Sequence, residues 1–390
     1  MKLKTVILCG QLCPTKSNNT TLLSKLLPYL RVENELCLVA SCRPGTKPAD
    51  LPEEYEGIPV EWLCLDREGP LRAKLTSAYA KIMDPHGYSD VILVRQYRRL
   101  LSEIYRRWSF SALLSISEPF PAAAAGAAFA GKVNTAVYFM DPPPSVRGEA
   151  DTPYRSRSFR KILRRYHTVF STPFFRRALT QNGFDAFDDK TVSVGFPIIT
   201  EETLRKRRET PAETIGLLFT GWMCSGIRSP KYFLDIVSRL DERFTVTFMG
   251  KECTLLQKRF PTQTRARLVT LPQQPYETAL QAMADADILI NIGNSVPVHM
   301  PSKTLEYINT GKPFVNFYKM DDCPTLYYTN RYPLCLNMPE KDPDLDAAAQ
   351  RFIDFCLENK GKTVDRDYIE REYEDCTPEH IANQILQALQ

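Results

Sequence analysis

The segment from Asn291 to Pro313 combines residue types that could bind an anion. An apolar strand pattern ends in the small polar run Asn291–Ser295, and a loop then leads to a predicted helix over 302–309 that stops at Gly311. The first turn of a helix presents unpaired backbone N–H groups and the positive end of the helix dipole. The segment therefore predicts an anion site at the start of this helix before any side chain is considered.

Side chains near that helix start add to the prediction. Ser302 is placed to cap the helix, and Lys303 adds a cation. Glu306 lies one turn in, too far along to be the capping-box acid, and its carboxylate could accept hydrogen bonds from two vicinal hydroxyls, as on a ribose. The plainer interpretation is a capped helix with an incidental acid in its first turn, and the residues alone leave both open.

Several other site chemistries are poorly supported by the sequence. No G-x-G-x-x-G motif follows the first predicted strand, and Gly221 and Gly226 have Walker-loop spacing but precede Ile227-Arg228 rather than Lys and Ser or Thr. The chain has no CxxC pair, and its four histidines are far apart in sequence. These patterns disfavour P-loop nucleotide hydrolysis, Rossmann dehydrogenase chemistry and a zinc site, and no metal is predicted.

Strand and helix patterns alternate along the chain and restart after a polar stretch at residues 201–212. This alternation predicts an α/β protein of two Rossmann-like, doubly wound domains, residues 1–204 and 205–375. A C-terminal helix over 376–390 is expected to pack back on the first domain. Because ligands bind at the carboxyl ends of parallel strands, we expect the active site in a central cleft that both domains face.

The helix segment also resembles a known signature. It reads P-S-K-x-x-E-Y-x-x-T-G-K-P, which resembles the donor-site signature of one branch of the family 4 glycosyltransferases of the GT-B fold. The matching residues are Pro301, Ser302, Lys303, Glu306, Tyr307, Thr310, Gly311, Lys312 and Pro313. Two weaker similarities accompany it, because Leu218–Gly221 with Ile227–Pro230 resembles the strand–glycine loop that opens the donor domain, and Ser117–Phe120 with Asp141-Pro142 resembles a first-domain stretch.

The resemblance implies roles for individual residues. Glu306 would bind the ribose of a nucleotide sugar, and N–H groups near Ser302–Thr304 would hold its diphosphate. Arg228 or Lys231 would neutralise the leaving diphosphate. A retaining transferase of this fold needs neither a protein nucleophile nor a metal, so no cofactor is expected beyond the donor. The predicted donor-site residues are Gly221, Arg228, Lys231, Ser302, Lys303, Thr304 and Glu306.

The candidate catalytic residues are Glu118, Arg228 and His299. Glu118 ends a predicted strand and could contact the acceptor hydroxyl, although acids in such places are commonly turn residues. His299 could contact the sugar or the diphosphate, or simply be exposed. The family often has a second Glu eight positions before the ribose-binding one, where this chain has Val298. That departure motivates a non-catalytic alternative.

The net charge of +4 is unevenly divided, with +8 in residues 1–200 and −4 in the remainder. Two predicted helices, over 90–108 and 157–166, concentrate arginines. This pattern fits an ordinary solvated charged face, or attraction to anionic lipid or a lipid-linked acceptor. The absence of a nucleic-acid motif predicts no nucleic-acid partner. The candidate residues of this membrane or acceptor surface are Arg98, Arg106, Arg160 and Arg164.

The compartment is predicted from signals and cysteines. The chain starts Met-Lys-Leu-Lys and enters a strand pattern without the apolar run of a secretory signal. The apolar run 121–131 is shorter than the about 20 residues that span a bilayer. Cys9, Cys37 and Cys64 lie in apolar strand patterns without disulfide spacing, which fits a reducing compartment. We expect a cytoplasmic protein, peripheral at the inner membrane face.

Together these patterns predict a glycosyltransferase of hexosyltransferase type, acting in polysaccharide biosynthesis. It would move a sugar from a nucleotide-diphosphate sugar to a hydroxyl of a glycan or glycolipid acceptor, with retention and without a metal. Two alternatives stay open. One is a non-catalytic, transferase-like binding subunit, and the other is a nucleotide-sugar epimerase of the same fold.

Overall fold

The structure, a computed structural model, describes most of the chain: residues 2–13, 17–42, 53–64, 74, 78–79, 82, 91–117, 120–140, 155–208, 214–223, 226–295 and 298–390. The chain divides into two compact units. The first comprises Met1–Pro197 with Asp375–Gln390, and the second comprises Ile198–Glu374. The chain therefore passes from the first unit to the second after Pro197, a few residues before the predicted boundary at 204. It returns to the first unit at Asp375.

In its described residues the first unit contains a seven-stranded parallel sheet with the order β3-β2-β1-β4-β5-β6-β7. Leu3–Cys13 is an interior strand of this sheet, and its neighbours on both sides run parallel to it. The strands are β1 Leu3–Cys13, β2 Asn34–Cys42, β3 Val60–Cys64, β4 Ala112–Ile116, β5 Asn134–Phe139, β6 Thr168–Ser171 and β7 Thr191–Ser193.

The described residues of the second unit form a six-stranded parallel sheet with the order β10-β9-β8-β11-β12-β13. In both sheets the strand order reverses once, between β1 and β4 and between β8 and β11, which is the doubly wound topology. The strands are β8 Ile215–Thr220, β9 Phe244–Met249, β10 Arg267–Leu271, β11 Ile288–Ile292, β12 Phe314–Tyr318 and β13 Cys335–Pro339.

Helices connect successive strands, as parallel pairing requires. The last helix, Pro378–Leu389, packs on the first helix and on β5 within the first unit, and Asn134 Nδ2 donates to the carbonyl of Ala388 at 3.0 Å. The helices are α1 Asn18–Glu33, α2 Val91–Trp108, α3 Phe120–Gly126, α4 Arg157–Arg165, α5 Pro173–Gln181, α6 Lys231–Val237, α7 Leu256–Arg259, α8 Tyr276–Asp285, α9 Lys303–Asn309, α10 Pro324–Thr329, α11 Leu345–Asn359, α12 Arg366–Glu372 and α13 Pro378–Leu389.

The central strands are apolar because both faces of each sheet are covered. All five residues of β4 and all five of β11 are buried. In the second unit, side chains of β8, β9, β11 and β12 join α6 and α11 in one apolar cluster. A rigid sheet of this kind fixes the positions at which its loops begin. Within the described part of the chain, no helix is long and apolar enough to cross a membrane.

A ladder of three amides, two of them buried, crosses three strands of the second sheet. Asn291, Asn316 and Asn337 are register partners on β11, β12 and β13. Asn291 Nδ2 donates to Asn316 Oδ1 at 2.7 Å, and Asn316 Nδ2 donates to Asn337 Oδ1 at 2.8 Å. Asn316 is fully buried, so this pairing satisfies amides that would otherwise cost free energy in the core.

Two glycines follow β8 and β9 and lie against each other. Gly221 has φ +146° and Gly250 has φ +142°, a region that side chains other than glycine rarely adopt. A Cβ on Gly250 would lie 2.0 Å from the Gly221 carbonyl oxygen. Only glycine at 250 therefore allows the loops after these two strands to approach so closely.

Candidate functional site

The carboxyl ends of β8 and β11, where the strand order of the second sheet reverses, hold a cation in a fixed position. Arg228 donates from Nε and Nη2 to Asn294 Oδ1, at 3.2 and 2.9 Å. Asn294 is 2% exposed, and its Nδ2 donates to the His299 carbonyl at 2.8 Å. Because Asn294 is neutral, this contact orients the guanidinium without cancelling its charge.

The loops after β8 and β11 are also joined through their backbones. The Ser295 N–H donates to the carbonyl of Ile227 at 2.8 Å, and the Ser295 hydroxyl donates to the same carbonyl at 3.0 Å. Arg228 therefore follows a segment that is anchored to the loop carrying Asn294. This anchoring explains how residues far apart in sequence meet at the switch point.

The start of α9 differs in detail from the prediction. Ser302 adopts a helical conformation, with φ −56° and ψ −26°, and its side chain makes no capping hydrogen bond, so the predicted side-chain cap is wrong. The Thr304 N–H donates to the Pro301 carbonyl at 3.1 Å. Within the described residues the N–H groups of Ser302 and Lys303 donate to no acceptor. These two groups are therefore the ones that an anion could use.

Lys303 and Glu306 form an ion pair within α9. Lys303 Nζ lies 2.5 Å from Glu306 Oε2, with side chains 22% and 14% exposed. The Lys303 charge is therefore shared with an acid of its own helix. One carboxylate oxygen of Glu306 is engaged in this way, and the other is not part of the pair.

Tyr307 fixes α9 against the end of β8. Its buried hydroxyl accepts a hydrogen bond from the Thr220 N–H at 2.9 Å and lies 3.0 Å from the Thr220 hydroxyl. Burial raises the pKa of Tyr307 to about 12, so the hydroxyl stays neutral. Leu305 and Ile308 are fully buried on the same helix. These contacts position the helix start beside the Arg228 loop.

The remaining predicted donor-site residues lie nearby or in the core. Gly221 comes close to Arg228, since a Cβ there would be 3.3 Å from Nη1. Lys231 is exposed and is the first residue of α6. Thr304 is fully buried, and its hydroxyl has no hydrogen-bond partner among the described residues. The Thr304 side chain therefore contributes to the core rather than to a ligand site.

Of the three predicted catalytic residues, the structure describes Arg228 and His299. His299 is partly exposed, and its carbonyl is held by Asn294. Glu118 and Asp141 lie outside the described residues. Val298, at the position of the missing second Glu, has φ +62°, an uncommon and strained conformation for a β-branched residue. The loop before α9 therefore stores backbone strain beside the site.

Sequence reasoning missed a charged pair at the same edge of the sheet. Lys319 follows β12 and Glu340 follows β13, and the Glu340 N–H donates to the Tyr318 carbonyl at 2.8 Å. Burial raises the pKa of Glu340 to about 7, and the Lys319 charge acts against this rise. Burial lowers the pKa of Lys319, and the charge of Arg228 acts in the same direction. Lys319 thus lies within electrostatic reach of Arg228.

Asn294 was also missed as a site residue, although a signal for it existed. It belongs to the small polar run Asn291–Ser295, whose position after a buried strand marked it as a ligand-facing loop. Lys319 carried a similar but weaker signal as the first charged residue after an apolar strand. In the described residues, no group of three or more His, Cys, Asp or Glu side chains could hold a metal ion.

The arginines predicted to form a membrane or acceptor surface are exposed on two helices of the first unit. Arg98 and Arg106 lie on α2, and Arg160 and Arg164 lie on α4, all with exposed side chains. Arg160 stacks over the Phe184 ring at 4.2 Å from the guanidinium carbon. Their neighbour Arg107 is instead paired with Glu61.

The sequence matches no protein-family model and no curated protein. Solved structures do match over nearly the whole chain. The apo form of the lipopolysaccharide outer core galactosyltransferase WaaB matches with a TM-score of 0.62 and 13% identity, covering 99% of this chain and 100% of that one. The Anabaena protein HepE, in complex with UDP and glucose, matches with a TM-score of 0.63 and 14% identity, covering 99% of both chains.

The chain has the GT-B fold. The same fold occurs in a Listeria monocytogenes protein assigned as a UDP-N-acetylglucosamine 2-epimerase, which matches with a TM-score of 0.62 and 13% identity, covering 100% of this chain and 96% of that one. Two parallel sheets of seven and six strands, in the described residues, agree with this fold. At these identities the similarity shows the fold alone, so function has to be argued from the site.

Proposed function

We propose that this protein is a glycosyltransferase that uses a nucleotide-diphosphate sugar as donor. The observation that carries the proposal is the arrangement at the switch point of the second sheet, where Arg228 is held by the neutral Asn294. The open N–H groups of Ser302 and Lys303 begin the neighbouring helix. A fixed cation beside open backbone donors is suited to a diphosphate. The bound UDP and glucose of the Anabaena relative support the same ligand class.

In this proposal each donor-site residue has a distinct role. The diphosphate accepts hydrogen bonds from Ser302 and Lys303 and faces Arg228, with the exposed Lys231 at the rim. Gly221 keeps space beside the guanidinium. Glu306 accepts hydrogen bonds from the ribose hydroxyls through the carboxylate oxygen that is not paired with Lys303. The Thr304 side chain serves the core rather than the ligand.

Transfer would depend mainly on stabilising the departing diphosphate. Charge builds up on the leaving group as the bond to the sugar breaks, so a positioned cation such as Arg228 stabilises the transition state more than the ground state. His299 would contact the sugar or diphosphate, and Glu118 the acceptor hydroxyl. We propose a hexosyl transfer that retains anomeric configuration and requires neither a metal nor a further cofactor.

The acceptor would be a glycan or lipid-linked hydroxyl in polysaccharide biosynthesis, at the cytoplasmic face of a membrane. The exposed arginines of α2 and α4 support this assignment, because each cation near an anionic bilayer contributes about 1 kcal/mol. Co-sedimentation with vesicles containing anionic lipid should fall when Arg98 and Arg106 are changed together to Gln. Binding that is insensitive to anionic lipid would remove the membrane part of the proposal.

Binding of nucleoside diphosphates tests the donor site directly. We expect UDP, or another diphosphate in a panel, to bind wild type, and its 2′,3′-dideoxy analogue to bind more weakly because Glu306 loses its hydroxyl donors. Glu306→Ala should bind the two ligands equally. If no nucleoside diphosphate binds folded wild type, the donor assignment is wrong. If Glu306→Ala still discriminates, only its ribose role is wrong.

Turnover distinguishes the transferase from its alternatives. The epimerase alternative is favoured by the Listeria relative of the same fold, and it predicts conversion of a nucleotide sugar with no acceptor present. The non-catalytic alternative is favoured by Val298 at the position of the second Glu, and it predicts binding without turnover. A transferase releases nucleoside diphosphate in step with glycosylated acceptor.

A further inference from the structure

A second pocket lies at the opposite edge of the second sheet from the donor site. It has a volume of about 230 Å³, and its lining includes residues that precede strands rather than follow them. Asp287 immediately precedes β11, and Lys312 lies just before β12. Arg205, Arg207 and Lys362 complete its charged lining. Helix α9 thus begins at the donor site and ends, at Thr310, in the wall of this pocket.

The lining of this pocket is strongly cationic. Four cations face a single carboxylate, that of Asp287. Asp287 is already engaged, since its Oδ1 lies 2.7 Å from Arg207 Nη2 and its Oδ2 accepts the Gly216 N–H at 2.8 Å. Arg205 is paired with Glu277, which is not part of the lining. The two arginines are therefore held in place by acids.

The two lysines are held differently. Lys312 Nζ donates to the Ala286 carbonyl at 2.8 Å, and Lys362 Nζ donates to Asn359 Oδ1 at 3.2 Å. Each ammonium has three N–H donors, so these contacts leave donors on both. No carboxylate of the described residues forms a salt bridge with either lysine. The positive charge of the pocket is thus concentrated on Lys312 and Lys362.

Lys312 is a partly buried cation that forms no ion pair with an acid of the described residues, which is an unfavourable arrangement. Burial lowers the pKa of Lys312 to about 8, and Arg207 acts in the same direction, whereas Asp287 and Asp285 oppose it. An anion that enters the pocket would relieve this desolvation and bring the ammonium back towards its ordinary pKa. The site therefore gains most from a ligand that carries negative charge.

We propose that this pocket binds a small phosphoryl dianion, either inorganic phosphate or the phosphate group of a phosphate monoester. Two charges match Lys312 and Lys362, and the neighbouring arginines add a planar donor geometry suited to phosphate oxygens. The volume of about 230 Å³ lies below the about 300–1,000 Å³ of pockets for drug-sized ligands, which favours a small anion over a nucleotide sugar. The site is separate from the proposed donor site and does not depend on it.

Equilibrium dialysis at constant ionic strength and pH 7.5 tests this proposal, with inorganic phosphate and glycerol 3-phosphate as separate probes. Lys362→Gln should bind the preferred probe at least about tenfold more weakly, since a charge-assisted contact is lost. Lys258→Gln is the matched control, because it removes an exposed lysine of the same unit outside the pocket and should leave binding unchanged. The preferred probe tells free phosphate from an ester.

Arg228→Ala separates the two sites. It should weaken nucleoside diphosphate binding but leave phosphate binding at the wild-type level. Phosphate binding that is lost in Arg228→Ala and kept in Lys362→Gln would assign the anion to the donor site and overturn the proposal. Wild type that binds neither probe would also overturn it, whatever the outcome for nucleotides.

A proton-linkage measurement checks Lys312 itself. Sulfate does not titrate near pH 8, so any proton taken up when it binds there comes to the protein. Calorimetry of sulfate binding in two buffers of different ionisation enthalpy should show proton uptake by wild type and none by Lys312→Met. Equal uptake by both proteins, with the variant shown to be folded by circular dichroism, would remove Lys312 from the site.

Discussion

The two ends of α9 hold arginines in different ways. At its start, Arg228 donates to the neutral amide of Asn294 at 2.9 Å and to the Trp222 carbonyl at 3.5 Å. Near its end, Arg207 is paired with the buried carboxylate of Asp287. A hydrogen bond from an arginine to an amide does not offset the arginine charge, whereas an ion pair with a carboxylate does. Near the end of α9, the charge that a ligand could use therefore lies on Lys312 and Lys362 rather than on arginines.

The glycines at the two edges should respond very differently to the same substitution. Gly250→Ala would place a Cβ 2.0 Å from the Gly221 carbonyl in addition to the positive φ, so we expect a loss of about 3 kcal/mol or more in unfolding free energy. Gly361→Ala has φ +79° but open space around the Cβ, so we expect a loss of only about 1–2 kcal/mol. Urea unfolding measures both, and equal losses would contradict the close approach of the β8 and β9 loops.

Arginine substitutions test whether charge is available at each edge. Arg228→Ala should weaken nucleoside diphosphate binding roughly 10- to 150-fold, the range expected for a hydrogen bond to a charged group. Arg208→Ala removes the same charge at the opposite edge, where Arg208 pairs with Asp285 at 3.1 Å, and should change binding less than about twofold. Calorimetry compares the two variants. Similar losses would mean that general charge, rather than placement, decides affinity.

Buried titratable groups should give the two edges opposite pH dependences. The pKa of Glu340 rises from 4.5 to about 7, so its contribution to stability is lost as pH rises from 4.5 to 7. The pKa of Lys312 falls from 10.5 to about 8, so its contribution is lost as pH falls from 10.5 to 8. Glu340→Gln and Lys312→Met should each remove one of these slopes, by at most about 3 kcal/mol, since one pKa unit corresponds to about 1.4 kcal/mol. Chemical unfolding across pH, relative to wild type, measures the differences.

The substitution Asn294→Asp would place an acid beside Arg228, as at the opposite edge of the sheet, where Arg207 pairs with Asp287. Asn294→Asp keeps the side-chain shape and can still hold Arg228, but it adds a negative charge beside the proposed diphosphate. We expect nucleoside diphosphate binding to weaken about three- to tenfold. Unchanged affinity would show that the neutrality of Asn294 is unimportant. The same substitution at exposed Asn330 is a control for the added charge.

The boundaries of three strands of the second unit follow directly from the sequence. Apolar runs predict Ile215–Thr220, Phe244–Met249 and Phe314–Tyr318, and the structure confirms these strands at the same residues. Such segments are predictable because both faces are buried, so nearly every side chain is apolar. The end of α9 just before Gly311, which has φ +72°, is predictable for the related reason that glycine tolerates this conformation.

The contacts of the site could not be predicted in the same way. Arg228 and Asn294 are 66 positions apart, and only the strand order of the sheet brings them together. The cap predicted at Ser302 is wrong because the backbone is already helical there, which places the side chain out of reach of the first N–H groups. The second pocket was missed because, although Lys312 belongs to the recognised motif, nothing in the sequence connects it to Arg205, Arg207 and Lys362.

The amide ladder across β11, β12 and β13 has a consequence for how the second sheet assembles. The apolar pattern of buried parallel strands does not define their register, because a shift of one strand by two residues keeps apolar side chains in the core. A slip at Asn316 would leave neighbouring amides without partners in a medium that penalises this heavily. The ladder therefore favours the native register of these strands during folding. We expect Asn316→Val to increase the amount of misaligned, aggregation-prone chains more than it lowers the stability of correctly folded ones.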